Sequence, residues 1–206
     1  MKNEYSLGDS ISKYLITLFS GIDNYNSPYA KTVNDPSEIV DSLIQSASLK
    51  SAAISASLSL PPGPFGWISV LPELLIIFRI QGHLIKDIAA LYGKEVKVNR
   101  ELLLYCMFKH GSAHIFRRMV EETSARIIIR PTTIQFFEKI IKLIGMQISK
   151  KMLKGNLLRW VPLIGATLTG GFAYLDTRTV GKTTKELFAK EILTIPLEIS
   201  ETTKND

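Results

Sequence analysis

The stretch Ser51–Pro72, SAAISASLSLPPGPFGWISVLP, carries no charged side chain over 22 residues, which is long enough for a membrane-spanning helix. Pro61-Pro62-Gly63-Pro64 sits in its middle. Proline donates no backbone hydrogen bond and its ring clashes with the carbonyl four residues back, so one helix cannot cross this point. The stretch reads instead as the tip of a helical hairpin.

Upstream, Asp35-Pro36-Ser37-Glu38 offers an N-cap, a proline at the first helical position and a glutamate three residues after the cap. This predicts a helix from near Pro36 to about Leu60, on the order of 36 Å long. Downstream, a helix entered near Pro72 carries an apolar stripe of Ile76, Ile80, Leu84, Ile88 and Leu91 and stops at Gly93. Asn99 caps a third helix that runs toward Arg126 and is ended by Ile127-Ile128-Ile129 and Pro131. Thr132 or Thr133 caps a fourth, from Ile134 to about Lys154.

A second low-charge stretch, Trp160–Leu175, holds Pro162, Gly165, Gly170 and Gly171 and feeds a last helix from about Ala166 to Ile192. Neither low-charge stretch makes a single span; each suits a hairpin buried in protein or dipped into a bilayer. No period-two strand of useful length stands out. The predicted fold is therefore all-α, a bundle of long helices built from hairpins with Pro/Gly-tipped turns. One domain covers 1–194, and 195–206 is a loosely held tail.

The chain of 206 residues is 46% hydrophobic and 21% charged, which excludes general disorder and leaves room for a sizeable core. A single cysteine, Cys106, excludes an intramolecular disulfide and suits a reducing compartment. The net charge of +6 fits an anionic partner surface. Near the amino terminus the longest mostly apolar run, Tyr14–Phe19, is too short for the core of a secretion signal. The expected location is cytoplasmic, peripheral to the inner face of the membrane.

Small residues set the low-charge regions apart. Ala47, Ser48, Ser51, Ala52, Ser55 and Ala56 form one small face, and Ala166, Gly170 and Ala173 recur in the last helix. Such faces let helix backbones approach closely. Ala52, Ser55 and Ala56 are expected to pack against Ala166, Gly170 and Ala173.

Two segments carry a family resemblance. The first is Leu60-Pro-Pro-Gly-Pro-Phe-Gly-Trp-Ile-Ser-Val-Leu-Pro-Glu, continuing to Ile88-Ala-Ala-Leu-Tyr-Gly-Lys-Glu95. The second is Val161-Pro-Leu-Ile-Gly-Ala-Thr-Leu-Thr-Gly-Gly-Phe-Ala-Tyr-Leu-Asp176, followed by Thr179-Val-Gly-Lys182 and Phe188. Together, over roughly a third of the chain, they resemble the bacterial EcsC family. Glu73 stands where that family's pattern has aspartate, and Asp176 where asparagine is common. The resemblance implies a helical, cytosolic or membrane-associated bacterial protein with no established chemistry.

Chemical motifs are sparse. Gly181-Lys182-Thr183-Thr184 imitates the end of a phosphate-binding loop, but Asp176 occupies the place of its first glycine and no strand precedes it. Cys106, His110 and His114, spaced by four, would share a helix face. They are either a soft-metal or nucleophile arrangement or a buried thiol beside two ordinary histidines. Arg79, His83, Lys86 and Asp87 describe a polar edge on the second helix, and Glu73 is expected to cap its start.

Between Ile134 and Arg159 lie Lys139, Lys142, Lys150, Lys151, Lys154 and Arg159 against Glu138 alone, with Phe137, Ile140, Ile141, Ile144, Ile148 and Met152 on the other face. A basic amphipathic helix leading into Trp160 suits an interfacial element. The expected contact set is Trp67, Lys142, Lys150, Lys151, Lys154, Arg159 and Trp160. The expected function is a non-enzymatic accessory role at an anionic membrane surface or on a membrane-protein partner, a transporter included. The alternative is a metal-binding protein or enzyme centred on Cys106, His110 and His114. Neither a cofactor nor a nucleic-acid partner is expected, because the basic segment lacks interleaved aromatics.

Overall fold

A computed structural model describes residues 2–58, 66–116, 119–154 and 162–195. Among these described residues six helices dominate: α1 (Lys2–Asp23), α2 (Ser37–Leu58), α3 (Gly66–Leu91), α4 (Arg100–Phe116), α5 (Ile134–Lys154) and α6 (Pro162–Ala189). Three short strands, β1 (Val120–Glu122), β2 (Arg126–Ile129) and β3 (Glu191–Thr194), form one small sheet. The mostly helical bundle agrees with the fold class read from the sequence.

Central to the bundle is α3, which contacts α2 and α6 as well as α1 and α4, while α2 pairs most extensively with α6 and α1 with α5. The α1 helix exists because Ile11, Leu15, Leu18, Phe19 and Ile22 recur at helical spacing and are all buried. It crosses α5 closely: a Cβ on Gly145 would lie 2.8 Å from the Gly8 carbonyl oxygen, and Phe19 meets Phe137 edge to face with ring centroids 5.8 Å apart. On its other side α3 meets α4 through Phe78 and Phe108, at 5.3 Å.

Several boundaries follow the capping chemistry. Asp35 Oδ1 accepts the Ser37 N–H at 3.1 Å, and Asn99 Oδ1 accepts the Leu102 N–H at 2.9 Å. Thr133 Oγ1 accepts the Phe136 N–H, which makes Thr133 the cap of α5; Thr132 is engaged elsewhere, donating its N–H and hydroxyl to Glu101 Oε1 at 2.9 Å each. Gly93 ends α3 with φ of +69°, and the Gly93 and Lys94 N–H groups bond back to the Ala90 and Ala89 carbonyls. That pairing is a Schellman motif, whose left-handed residue is usually glycine.

Four sequence readings are corrected. First, α3 starts at Gly66, so Pro72 lies inside the helix and Glu73 caps nothing. Second, α4 ends at Phe116 and the chain turns into an antiparallel hairpin, Val120 opposite Ile129. Third, the last helix ends at Ala189, and Glu191–Thr194 pairs in parallel with β2, Ile127 opposite Ile192. Fourth, Ile195 still donates its N–H to the Ile129 carbonyl at 3.0 Å; the rest of the expected tail, 196–206, lies outside the described residues. The β-branched run Ile127–Ile129 is thus the middle strand, with one partner across the hairpin and a second more than 60 residues away, a pairing that local periodicity cannot reveal.

Candidate functional site

The α2 helix runs antiparallel to both α3 and α6. Ser55, near its end, donates its hydroxyl to Glu73 Oε1 at 2.5 Å near the start of α3. Against α6, Gly170 abuts Ala52 and Ala56, while Lys185 pairs with Asp41 at 2.8 Å. The end of α2 and the starts of α3 and α6 therefore meet at one end of the bundle, and both low-charge stretches converge there.

Counted inward from that end, the first exposed charges are Lys50 on α2, Arg79 on α3 and Asp176 on α6. At 1.5 Å per residue they stand about 12, 20 and 21 Å from their helix ends. Between the end and this ring, Phe172 (68% exposed), Leu175 (58%) and Ile76 are apolar side chains open to the outside. The one charge within the uncharged zone, Glu73, is only 4% exposed and turned inward toward Ser55.

Behind that surface the seam between α2, α3 and α6 is polar as well as tight. Ser48, Ser51, Ser55, Gln81 and Thr177 are all buried. Gln81 Nε2 donates to Asp176 Oδ2 at 2.7 Å and reaches Thr177 Oγ1 at 3.3 Å. Ala173 is buried as well, and a Cβ on Gly170 would stand 3.1 Å from the Ala52 carbonyl oxygen. Ser55 faces Glu73 on α3. The Ala166 side chain lies outside the described residues.

The basic helix α5 plays a different part from the interfacial one expected of it. Phe137, Ile140, Ile141 and Ile144 are buried, and α5 packs on α1. A face already spent on the core cannot also lie on lipid. Its lysines remain outside: Lys150 is exposed, and Lys142 pairs with Asp9 at 3.5 Å. Lys151 and Lys154 stand in the last turn of α5 and Trp67 in the first turn of α3, but their side chains lie outside the described residues, as do Arg159 and Trp160 entirely.

Cys106 is fully buried, and that burial pushes its thiol up to about 12, so it is neither an available nucleophile nor a ready thiolate ligand. The side chains of His110 and His114 lie outside the described residues. No group of three metal-ligating side chains occurs among the described residues. Gly181–Thr184 forms no loop: it sits within α6, where Gly181 faces Ile44 and both threonines are buried.

Two lysines missed by sequence reading act as helix C-caps. Lys86, buried, donates to the Ile22 and Asp23 carbonyls at 3.3 and 3.1 Å and to that of Tyr25, closing α1. Lys94 donates to the Phe188 and Lys190 carbonyls at 2.6 Å each, closing α6. Beside the sheet, Glu122 receives Lys109 at 2.5 Å, Lys190 at 2.8 Å and the Tyr105 hydroxyl at 2.6 Å. Burial pushes the Glu122 carboxyl up, but these three donors outweigh it and hold the group at about 2.

Among the described residues no helix is long and apolar enough to cross a membrane. Comparison with protein-family models, with curated proteins and with solved structures finds no match to this chain, and the EcsC resemblance rests on its quoted motifs alone.

Proposed function

We propose that this protein is a peripheral membrane protein that docks the uncharged end of its bundle into one leaflet. The observation that carries the reading is the depth of that end. A bilayer's hydrocarbon core is about 30 Å thick, so one leaflet offers about 15 Å. The ring of Lys50, Arg79 and Asp176 stands about 12–21 Å from the helix ends, deep enough to enter a leaflet and too shallow to cross the core. Driving that ring to the bilayer centre would cost about 2.5–3.5 kcal/mol or more per charge, which sets a stop. Glu73 evades the penalty by facing Ser55.

Chain length adds a second support. The α5 helix ends at Lys154, eight residues before α6, so its terminal lysines stay within about 27 Å of the docking end and can meet anionic headgroups. The EcsC resemblance leads the same way, toward a membrane-associated accessory role without chemistry of its own.

Co-sedimentation with neutral and anionic vesicles over a salt series tests the reading. Binding should be strongest to anionic vesicles, weaken with salt, and need no detergent for purification. The double variant Phe172→Ser, Leu175→Ser should lose at least half of it while keeping its thermal melt. Absence of vesicle binding by the unaltered protein at every salt concentration would refute the proposal, and retention through high-salt and alkaline carbonate washes would refute its peripheral character.

A further inference from the structure

Immediately inside the charge ring, on the side away from the docking end, α2, α3 and the chain after α1 enclose an open cleft of about 240 Å³. Leu43, Ile80 and Leu84 give it an apolar wall, and Tyr25, Ser46, Lys50, His83 and Asp87 supply its polar groups. The Tyr25 ring lies flat on the His83 imidazole, centroids 3.8 Å apart and planes within 7°. The Tyr25 hydroxyl donates to Asp87 Oδ1 at 2.9 Å, and the Ser27 hydroxyl donates to the same oxygen at 2.8 Å. Asp87 is thereby committed to two neutral donors and fixes the tyrosine over the histidine.

The groups facing the opening are not so committed. Among the described residues, the Lys50 ammonium and the His83 ring nitrogens have no hydrogen-bond or ion-pair partner. Asp87, one turn after His83 on α3, is the charge that acts most strongly on the imidazole, and Arg79, one turn before it, and Lys50 act on it more weakly. A preformed cleft with an apolar wall and a few convergent unpaired donors is the usual form of a small-ligand site. An unpaired ammonium beside an imidazole N–H suits phosphate oxygens, and Asp87 is turned to Tyr25 and Ser27.

The geometry points to a phosphomonoester site in this cleft, with Lys50 and His83 as phosphate donors and Leu43, Ile80 and Leu84 against the group that carries the phosphate. The location relative to the charge ring rests on the docking proposal, while the phosphate chemistry stands without it. A phosphomonoester reaches the cleft either as the headgroup of phosphatidic acid or as a soluble molecule such as glycerol 3-phosphate.

Two arms separate these sources. In the first, vesicles of phosphatidylcholine with phosphatidic acid are compared with vesicles of matched surface charge that carry phosphatidylserine. In the second, glycerol 3-phosphate is titrated calorimetrically without lipid. Lys50→Ala, His83→Ala and their combination are tested in both, with thermal melts to confirm folding. The expected result is at least a threefold preference for phosphatidic acid, lost in the double variant, or glycerol 3-phosphate binding that the double variant weakens tenfold or more.

A wild type that binds both vesicle types equally and ignores glycerol 3-phosphate would overturn the phosphate site and leave membrane docking standing. Glycerol 3-phosphate binding without any vesicle binding would uphold the site and overturn the docking. Folded variants indistinguishable from wild type in both arms would overturn the assignment to this cleft.

Discussion

Gly170 on α6 faces the backbone of Ala52 on α2, so closely that a Cβ there would stand 3.1 Å from the Ala52 carbonyl oxygen and 3.4 Å from the Ala56 methyl. The most extensive helix pair of the bundle is built around this approach. Gly170→Leu should therefore cost about 1–3 kcal/mol or more through overpacking. Gly170→Ala sets a helix-propensity gain of about 1 kcal/mol against one tight contact and should stay within about 1 kcal/mol of the wild type. Urea denaturation of both variants checks the contrast, and an unaltered midpoint for Gly170→Leu would contradict the contact.

Lys86 holds the end of α1 by donating to three carbonyls from a buried position. Lys86→Met preserves length and apolar volume but leaves those acceptors without their charged donor. A loss of about 2–3 kcal/mol is expected. Lys142→Met, which removes only an exposed pair with Asp9, should change stability by less than about 0.5 kcal/mol. Hydrogen exchange of the last turn of α1 provides a local readout, and it should accelerate only in the Lys86 variant.

Glu122 gives stability a defined acid dependence. Its folded carboxyl sits at about 2, against about 4.5 for an unperturbed glutamate, so the unfolded chain takes up the proton first as pH falls. The stabilisation from Lys109 and Lys190 is complete above the unfolded value and is lost progressively between about pH 5 and 2. Glu122→Gln should be less stable than wild type at pH 7, with a gap that narrows as pH falls through that window. A gap independent of pH would show that the ion pairs do not carry it.

Cys106 tests the metal or nucleophile alternative directly. With the thiol buried and pushed up to about 12, its reaction with an aromatic disulfide reagent at pH 8 should be at least a hundredfold slower in the folded protein than in urea. A stoichiometric fast reaction of the native protein would bring the Cys106, His110 and His114 face back as a reactive site.

Most of the helices were legible in the sequence because their signals are local. Asp35, Asn99 and Thr133 cap α2, α4 and α5 through side-chain bonds to N–H groups two or three residues on, and Gly93 stops α3 through its own backbone freedom. The stripe Ile11, Leu15, Leu18, Phe19, Ile22 carries α1 just as openly. The small-residue faces of α2 and α6 were equally readable, because close approach demands small side chains at helical spacing.

What the sequence left undecided depends on partners distant along the chain. Ile127–Ile129 becomes the middle strand of the sheet because Glu191–Thr194 pairs with its second edge, and no window of a dozen residues contains both. The amphipathic pattern of α5 is the same whether its apolar face meets lipid or α1; only the packing shows that α1 takes it. Likewise Lys86, Asp87 and His83 read as one polar edge. Folding buries the first as a helix cap, ties the second to Tyr25 and Ser27, and leaves the third stacked at the mouth of a cleft. Helix starts and stops are settled by neighbours in sequence, whereas the role of a charge is settled by what the fold places against it, and that is decided only when the chain closes on itself.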